Sequence, residues 1–552
     1  MSLDKTSRHL WWQTGVIYQI YPRSFQDGNG DGVGDLEGII QRLDYLSETL
    51  GVDAIWLSPF YPSPQADFGY DVANYTDVDP LFGNLATFDR LVEKAHRRNL
   101  RIIIDFVPNH TSEQHLWFIE SRSSRNNPKQ DWYIWRDAKA DGSPPNNWLS
   151  VFGGPAWEWN EKTRQYYLHS FLKEQPDLNW RNPQVKAAMF DAVRFWLERG
   201  VDGFRIDVAH FILKDAQLRD NPPNPTLTKT VHKPLGDYDS QLHHYDKGDP
   251  DVHGVLRELR ALLNSYDAIS PRYSVGEIHL FDWKEWACYY GEKLDELHMP
   301  FNFSLLMAPW QAQTIRGLVD NLEAALPEGA WPNTVMGNHD EPRLASRLGS
   351  AKARQAAMLL LTLRGTPTLY YGDELGMTDI SIPPERQQDP FGIRVPGLGR
   401  DGCRTPMQWS DAPHAGFASP DVSECWLPVN PNYREANVER QLADPTSFLN
   451  LYRWLLAYRR STPALQWGSY RPLDEMAEDC YIYLRQAGRQ KVLVALNFSE
   501  WAQTLNPSAV GTGTLQVSTY MDRESYSNLA RLVLRPFEGV VVELDSDTEA
   551  IS

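Results

Sequence analysis

The chain has 552 residues, 42% hydrophobic and 23% charged, so it can bury a large core and is longer than one ordinary compact domain. A net charge of −18 argues against nucleic acid and against docking on an anionic membrane, both of which need a basic face. Four scattered cysteines without a CxxC pair exclude a zinc ribbon, and no run of 18 apolar residues exists to span a bilayer.

The cysteine pattern and an N-terminus without a signal-type apolar run predict a cytoplasmic protein; monomer and homo-oligomer stay equally open. Aromatic residues reach 12%, with 20 Trp and 25 Tyr. They serve a large core or a sugar site, since flat rings suit the apolar faces of pyranoses.

In chain order, the first apolar run is VIYQIYPRSF (16–25). DGNGDGVGD (27–35) follows it, with Asp27, Asn29, Asp31 and Asp35 alternating with glycines and Val33 offering a carbonyl. Hard oxygen donors so spaced suit a structural Ca²⁺ or Mg²⁺. The spacing begins like an EF-hand but lacks the acid at position 12. The same residues also make Asx turns. No organic cofactor is expected.

Residues 36–51 place apolar side chains at 36, 39, 40, 43, 46 and 50, which predicts one helix ending at Gly51. Residues 85–100 and 185–200 behave alike. Seven more apolar runs start at about 54, 101, 203, 273, 298, 334 and 366, each rich in β-branched and aromatic residues at its start.

Eight strand–helix units predict a TIM-type (β/α)8 barrel, an α/β fold whose chemistry sits at the C-terminal strand ends. Polar residues stand at those ends: Asp105, Asn109 and His110; Arg205 and Asp207; Glu277; His339 and Asp340. The long gap after the third strand, dense in Trp, Asn, Pro and Gly, predicts an inserted subdomain at 107–176. The barrel then comprises 1–106 and 177–469, with a second insert at about 378–448. Strand-like runs after 470 predict a C-terminal antiparallel β-sandwich domain over 470–552.

Breaking an acetal needs a proton donor at the leaving oxygen and an anion at the forming oxocarbenium carbon. A retaining enzyme holds two carboxyls about 5 to 5.5 Å apart for this. Asp207 and Glu277, at the ends of neighbouring strands, meet that description. Arg205 shares the strand face of Asp207 and would hold it ionised. Asp340 is a third acid on a third strand end.

DFVPNH, GVDGFRIDVAH, SVGEI and MGNHDEPR, in this order, resemble the four conserved regions of glycoside hydrolase family 13, the α-amylase family. QPDLNW (175–180) is similar to its fifth region in the oligo-1,6-glucosidase form. GRDGCRTPMQW (399–409) looks like a segment of the α-glucosidase branch. The resemblance covers about residues 10 to 540.

The resemblance implies Asp207 as nucleophile, Glu277 as acid/base and Asp340 as the acid that binds sugar hydroxyls and stabilises the transition state. It implies His110 and His339 on the hydroxyls of the cleaved glucose, with Asp67 and Tyr70 binding and stacking on it. Arg400 or Arg404 would pair with Asp67 and close the pocket. Phe152, Phe171 and Gln175 would come from the insert or its exit.

The implied activity is exo-acting hydrolysis of short α-glucosides through a β-glucosyl ester of Asp207, with transglucosylation when a sugar replaces water. Small oligosaccharides are the expected partners. Val208, next to the nucleophile, leans the expected linkage towards isomaltose over maltose or sucrose. A glucosyltransferase or sucrose isomerase is the alternative. The isomerases carry an Arg-x-Asp-Arg loop that EPRLASRLGS (341–350) does not show.

Overall fold

The computed structural model describes residues 9–225, 234–473, 478–505, 512–523 and 532–545. Eight parallel strands form the barrel: β1 (Ile17–Ile20), β2 (Ala54–Leu57), β3 (Arg101–Phe106), β4 (Gly203–Ile206), β5 (Tyr273–Gly276), β6 (Met299–Pro300), β7 (Asn333–Val335) and β8 (Thr366–Tyr370). Their order is β7-β8-β1-β2-β3-β4-β5-β6, parallel at every step. The seam between β6 and β7 is bridged by one side chain. Asn333 Nδ2 donates to the Pro300 carbonyl at 2.5 Å, and its Oδ1 accepts from the Asn302 amide at 3.1 Å.

The period of two in each strand sorts the side chains into two cores. Tyr18, Ile20, Ile55, Leu57, Ile102, Ile104, Phe204 and Ile206 face the surrounding helices. Ile17, Ala54, Trp56, Ile103, Tyr273, Val275 and Met299 fill the barrel. The inner parity, followed towards the C-terminal ends, reaches Gln19, Asp105, Arg205, Asp207 and Glu277. β4 and β5 lie close because Gly203 has no side chain; a Cβ there would stand 2.9 Å from the Cβ of Tyr273.

Helices Leu85–Arg97 and Pro183–Glu198 start where Asn84 and Asn182 cap them. The single helix expected over 36–51 is divided. An α-helix, Leu36–Gln41, is followed by a π-helical turn, Tyr45–Leu50, that ends at Gly51 with φ +85°. The wider turn keeps Leu46 and Leu50 buried while Tyr45 Oη donates to the buried Glu374 at 2.8 Å.

Between β3 and β4 lies a three-stranded antiparallel sheet of Trp135–Arg136, Gln165–Leu168 and Trp157–Asn160. The chain leaving it is anchored by Asp177, which pairs with Lys214 at 2.7 Å and accepts from Ser170 Oγ at 2.5 Å. After β8, residues 378–448 carry short helices such as Pro390–Arg394 and Val438–Ala443.

The C-terminal strands are β9 (Ser469–Pro472), β10 (Cys480–Ala487), β11 (Gln490–Asn497), β12 (Gln503–Leu505), β13 (Gly513–Ser518), β14 (Leu532–Leu534) and β15 (Gly539–Leu544). Five form one antiparallel sheet, β9-β10-β11-β15-β13, and β12 pairs with β14. Ile482, Leu484, Leu493, Val540 and Val542 meet Leu505, Leu532 and Leu534 on one face. Tyr481, Tyr483, Val492, Val494 and Val541 join the main core on the other. No described helix is long and apolar enough to cross a membrane.

Candidate active site

A cavity opens where β2 to β5 and β7 end. Its wall carries Asp67, Tyr70, His110, Phe152, Phe171, Asp207, Glu277, His339, Asp340 and Arg400. Three further expected residues, Arg205, Gln175 and Arg404, stand behind these and bond to them.

Arg205, buried beneath the cavity, holds three carboxylates. Its Nη1 donates to Asp105 Oδ1 at 2.6 Å and to Asp207 Oδ1 at 2.7 Å, and its Nη2 to Glu277 Oε2 at 2.5 Å. One cation therefore spans the two candidate catalytic acids. Burial and the carboxylates of Glu277, Asp105 and Asp340 push Asp207 well up, against the pull of Arg205. Glu277 is held low despite burial, first by Arg205 and then by His279, whose Nε2 lies 2.6 Å from Glu277 Oε1. Burial lifts Asp105 to about 6 against the Arg205 charge.

Immediately after Asp207, Val208 sits at φ +35°, ψ +48°. That left-handed conformation is strained for a β-branched residue. The turn it makes aims the Val208 amide at Glu277 Oε2, 3.2 Å away, and the Ala209 amide at the Glu277 carbonyl, 3.1 Å away. Local strain thus ties the end of β4 to the loop after β5.

A charge lock lines another part of the cavity. Arg400 donates to Asp67 Oδ1 at 2.9 Å, to Asp340 Oδ1 at 3.0 Å and to Asp389 Oδ1 at 2.7 Å. Of the two arginines expected there, Arg400 pairs with Asp67. Arg404 turns inward, to the His339 carbonyl at 2.7 Å and Asp340 Oδ1 at 3.1 Å. Gln175 Nε2 reaches Asp67 Oδ2 at 3.2 Å and His110 Nε2 at 3.1 Å. Burial lifts Asp67 to about 6 against Arg400, while Arg400 overcomes burial to hold Asp389 down.

Burial lowers His110 to about 4 and His339 to about 3, so both are neutral at pH 7 and hydrogen-bond without charge. His339 lies 2.6 Å from Tyr70 Oη and 2.7 Å from Gln19 Nε2, with the Tyr70 ring stacked on it at 5.4 Å.

An apolar wall adjoins the lock, with the Arg400 guanidinium over the Phe152 ring at 5.3 Å and the Phe391 ring at 5.9 Å. Phe152, Phe171, Val208, Phe211, Leu235, Tyr238 and Phe391 form one buried cluster. Asp389, Phe391, Phe211, Leu235, Tyr238, Lys247 and His279 escaped the sequence reading. Asp389 was legible only as a cap before Pro390, and it does accept from the Phe391 amide at 3.2 Å. His279, two residues after Glu277, had a signal in its parity.

In the Asp27–Asp35 loop the side chains turn onto the loop's own amides. Asp27 accepts from the Asn29, Gly30 and Gly32 amides, Asn29 from Asp31, and Asp31 from Val33. Asp35 caps the following helix through the Gly38 amide at 2.7 Å. Among the described residues no three of His, Cys, Asp and Glu group as a metal site. The donor set here includes an amide oxygen and a carbonyl, and carboxylate oxygens keep accepting capacity beyond one amide.

The model of the alpha-amylase catalytic domain matches residues 19–468. A Rhizobium meliloti (strain 1021) protein named "Probable alpha-glucosidase" is 45% identical over 91% of this chain and 93% of its own. An oligo-1,6-glucosidase of Parageobacillus thermoglucosidasius is 38% identical over 97% and 99%. The crystal structure of the α-glucosyl transfer enzyme XgtA superposes with a TM-score of 0.91 at 45% identity, covering 98% of this chain and all of that one.

Proposed function

The chain belongs to the α-amylase family, glycoside hydrolase family 13, and from that premise we propose that this glycoside hydrolase is a retaining, exo-acting α-glucosidase of short α-linked sugars. One observation supports the exo reading: Arg400 ties Asp67, Asp389 and Asp340 together on the cavity wall, where a fixed ion cluster would block a longer chain. The exo reading puts a single terminal glucose between that lock and the acids.

In the reaction, Glu277 protonates the leaving oxygen while Asp207 attacks the anomeric carbon. Water activated by ionised Glu277 then cleaves the β-glucosyl ester and releases α-glucose. The bound sugar reorders the protons. Positive charge growing at the anomeric carbon favours ionised Asp207, and the glycosidic oxygen favours a protonated Glu277 beside it. Neutral His110 and His339 contact hydroxyls, and Asp340 stabilises the transition state.

Val208 and the relative that acts as an oligo-1,6-glucosidase support isomaltose-type substrates. A rate panel on isomaltose, maltose, sucrose and trehalose, with the released anomer followed by NMR, tests both points. The expected result is fastest turnover of isomaltose with α-glucose appearing first; early β-glucose overturns retention.

The apolar residues lining the cavity support a second reading, glucosyl transfer, because an apolar lining disfavours water as the acceptor. The named activity of the similar XgtA points the same way. Product analysis on sucrose separates hydrolysis from transfer or isomerisation.

We also propose that Asp27, Asn29, Asp31, Asp35 and the Val33 carbonyl hold a structural Ca²⁺ or Mg²⁺, remote from the chemistry. The four free thiols, Cys288, Cys403, Cys425 and Cys480, support a reducing, cytoplasmic location.

A further inference from the structure

We propose that His279 is a positioning residue that stores the catalytic proton for Glu277, so that the two side chains exchange one proton during each half-reaction. The proposal rests on the reading of Glu277 as acid/base.

Both oxygens of Glu277 are engaged. Oε2 accepts from Arg205 Nη2 at 2.5 Å and from the Val208 amide at 3.2 Å, and Oε1 lies 2.6 Å from His279 Nε2. A carboxylate with donors on both oxygens is ionised, yet the first half-reaction needs a proton there. Arg205 does not release one at working pH. The imidazole on Oε1 is the other side chain in contact, and an imidazole can exchange a proton through its ring nitrogen.

The imidazole is held for that task. Its ring stacks on Phe303 at 4.8 Å and 18°, and it lines the cavity with Glu277. Charged and titratable groups near the pair include Arg205, Asp207 and Asp340 around Glu277, Glu341 on the cavity wall, and His210 beside His279 with ring centroids 6.1 Å apart. Lys247 on the next loop also lines the cavity. His210 is buried and pushed well down by burial, then by Lys247 and His279, so it stays neutral and does not compete for the proton.

In the first half-reaction the proton passes from His279 Nε2 to Glu277 Oε1, and the new hydroxyl turns to the glycosidic oxygen. The C1–O bond breaks, the alcohol leaves with the proton, and Asp207 Oδ bonds to C1. In the second, Glu277 takes a proton from water as its oxygen attacks C1 and the ester bond breaks. That proton returns to His279. The sum is glucoside plus water giving glucose plus alcohol, with the pair restored.

A proton shared by the pair is lost at higher pH than one held by Glu277 alone beside Arg205. His279→Gln keeps a donor near Oε1 and cannot titrate. The expected result is that the alkaline limb of kcat/KM for an unactivated disaccharide moves down by about one pH unit, with about a tenfold loss of kcat at pH 7. Hydrolysis of α-glucosyl fluoride, whose leaving group needs little protonation, stays within about threefold of wild type.

An unmoved alkaline limb with a uniform loss on both substrates overturns the proposal, since a merely structural contact behaves that way. So does a limb that moves up, which marks His279 as a simple donor that lowers Glu277. Glu277→Gln run beside it separates the two readings: it should lose the disaccharide and keep the fluoride, and losing neither overturns the acid/base role itself. Unchanged circular dichroism and melting temperature keep a folding defect from imitating either result.

Discussion

Two acidic clusters in this chain met opposite fates. Asp27, Asp31 and Asp35 lie within nine residues, and each turns its oxygens onto nearby backbone amides. Asp207, Glu277 and Asp340 come from three separate strand ends, yet they meet around one cavity, where Arg205 joins the first two and Arg400 and Arg404 hold the third. Close spacing let the first set satisfy itself locally. The second set is held by guanidinium and imidazole groups rather than by its own loop amides, and it faces the cavity. Carboxylates become reactive when the fold desolvates them together and a single cation divides itself between them.

The largest test of that contrast is Asp207→Asn. It keeps the shape, removes the nucleophile and should cut kcat by about 10⁴-fold or more on every glucoside; Asp31→Asn should leave kcat unchanged at 25 °C. Steady-state rates measured side by side decide it, and an active Asp207→Asn enzyme ends the reading of the second cluster.

Next in size is Arg400→Ala. It strands buried Asp67 and Asp389 without their cation, which costs about 3–5 kcal/mol and opens the lock. The expected outcome is a lower melting temperature, about a hundredfold loss of kcat/KM on disaccharides, and a relative gain on longer chains, read with a maltooligosaccharide series.

A smaller effect belongs to Val208→Gly. It releases a left-handed valine, worth about 1 kcal/mol, but it also deletes a buried side chain and loosens the unfolded chain, which together cost about 2 kcal/mol or more, so a denaturant titration should show a net loss of about 1 kcal/mol. It also trims the wall beside the nucleophile, so the isomaltose-to-maltose rate ratio should fall about tenfold. An unchanged ratio removes Val208 as a linkage determinant.

The smallest effect on rate is expected at the first cluster. Chelation with EDTA should lower the melting temperature by several degrees while the initial rate at 25 °C holds, as for a purely structural cation. Immediate loss of turnover would place the ion in the chemistry and erase the contrast between the two clusters.

The barrel was legible because each parallel strand is buried on both faces and so writes a short apolar run. The polar residue that ends the run marks the functional rim. Arg205 and Asp207 were placed on one face by parity alone. The helix over 36–51 was legible in its periodicity, while its π turn was not, because that turn follows the distant Glu374.

Residues close in sequence and alike in chemistry were decided only by the tertiary structure. Arg400 and Arg404 flank one tight turn, and nothing local says which faces Asp67; the packing of the 378–448 insert against the barrel mouth sends Arg400 there and Arg404 beneath His339. Asp389, Tyr238 and Phe391 join the site for the same reason. Sequence by itself determined which strand ends carry acids, since strand period and burial are short-range properties. Which side chains face each other across the cavity is set by contacts between segments hundreds of residues apart, and only the folded chain supplies those.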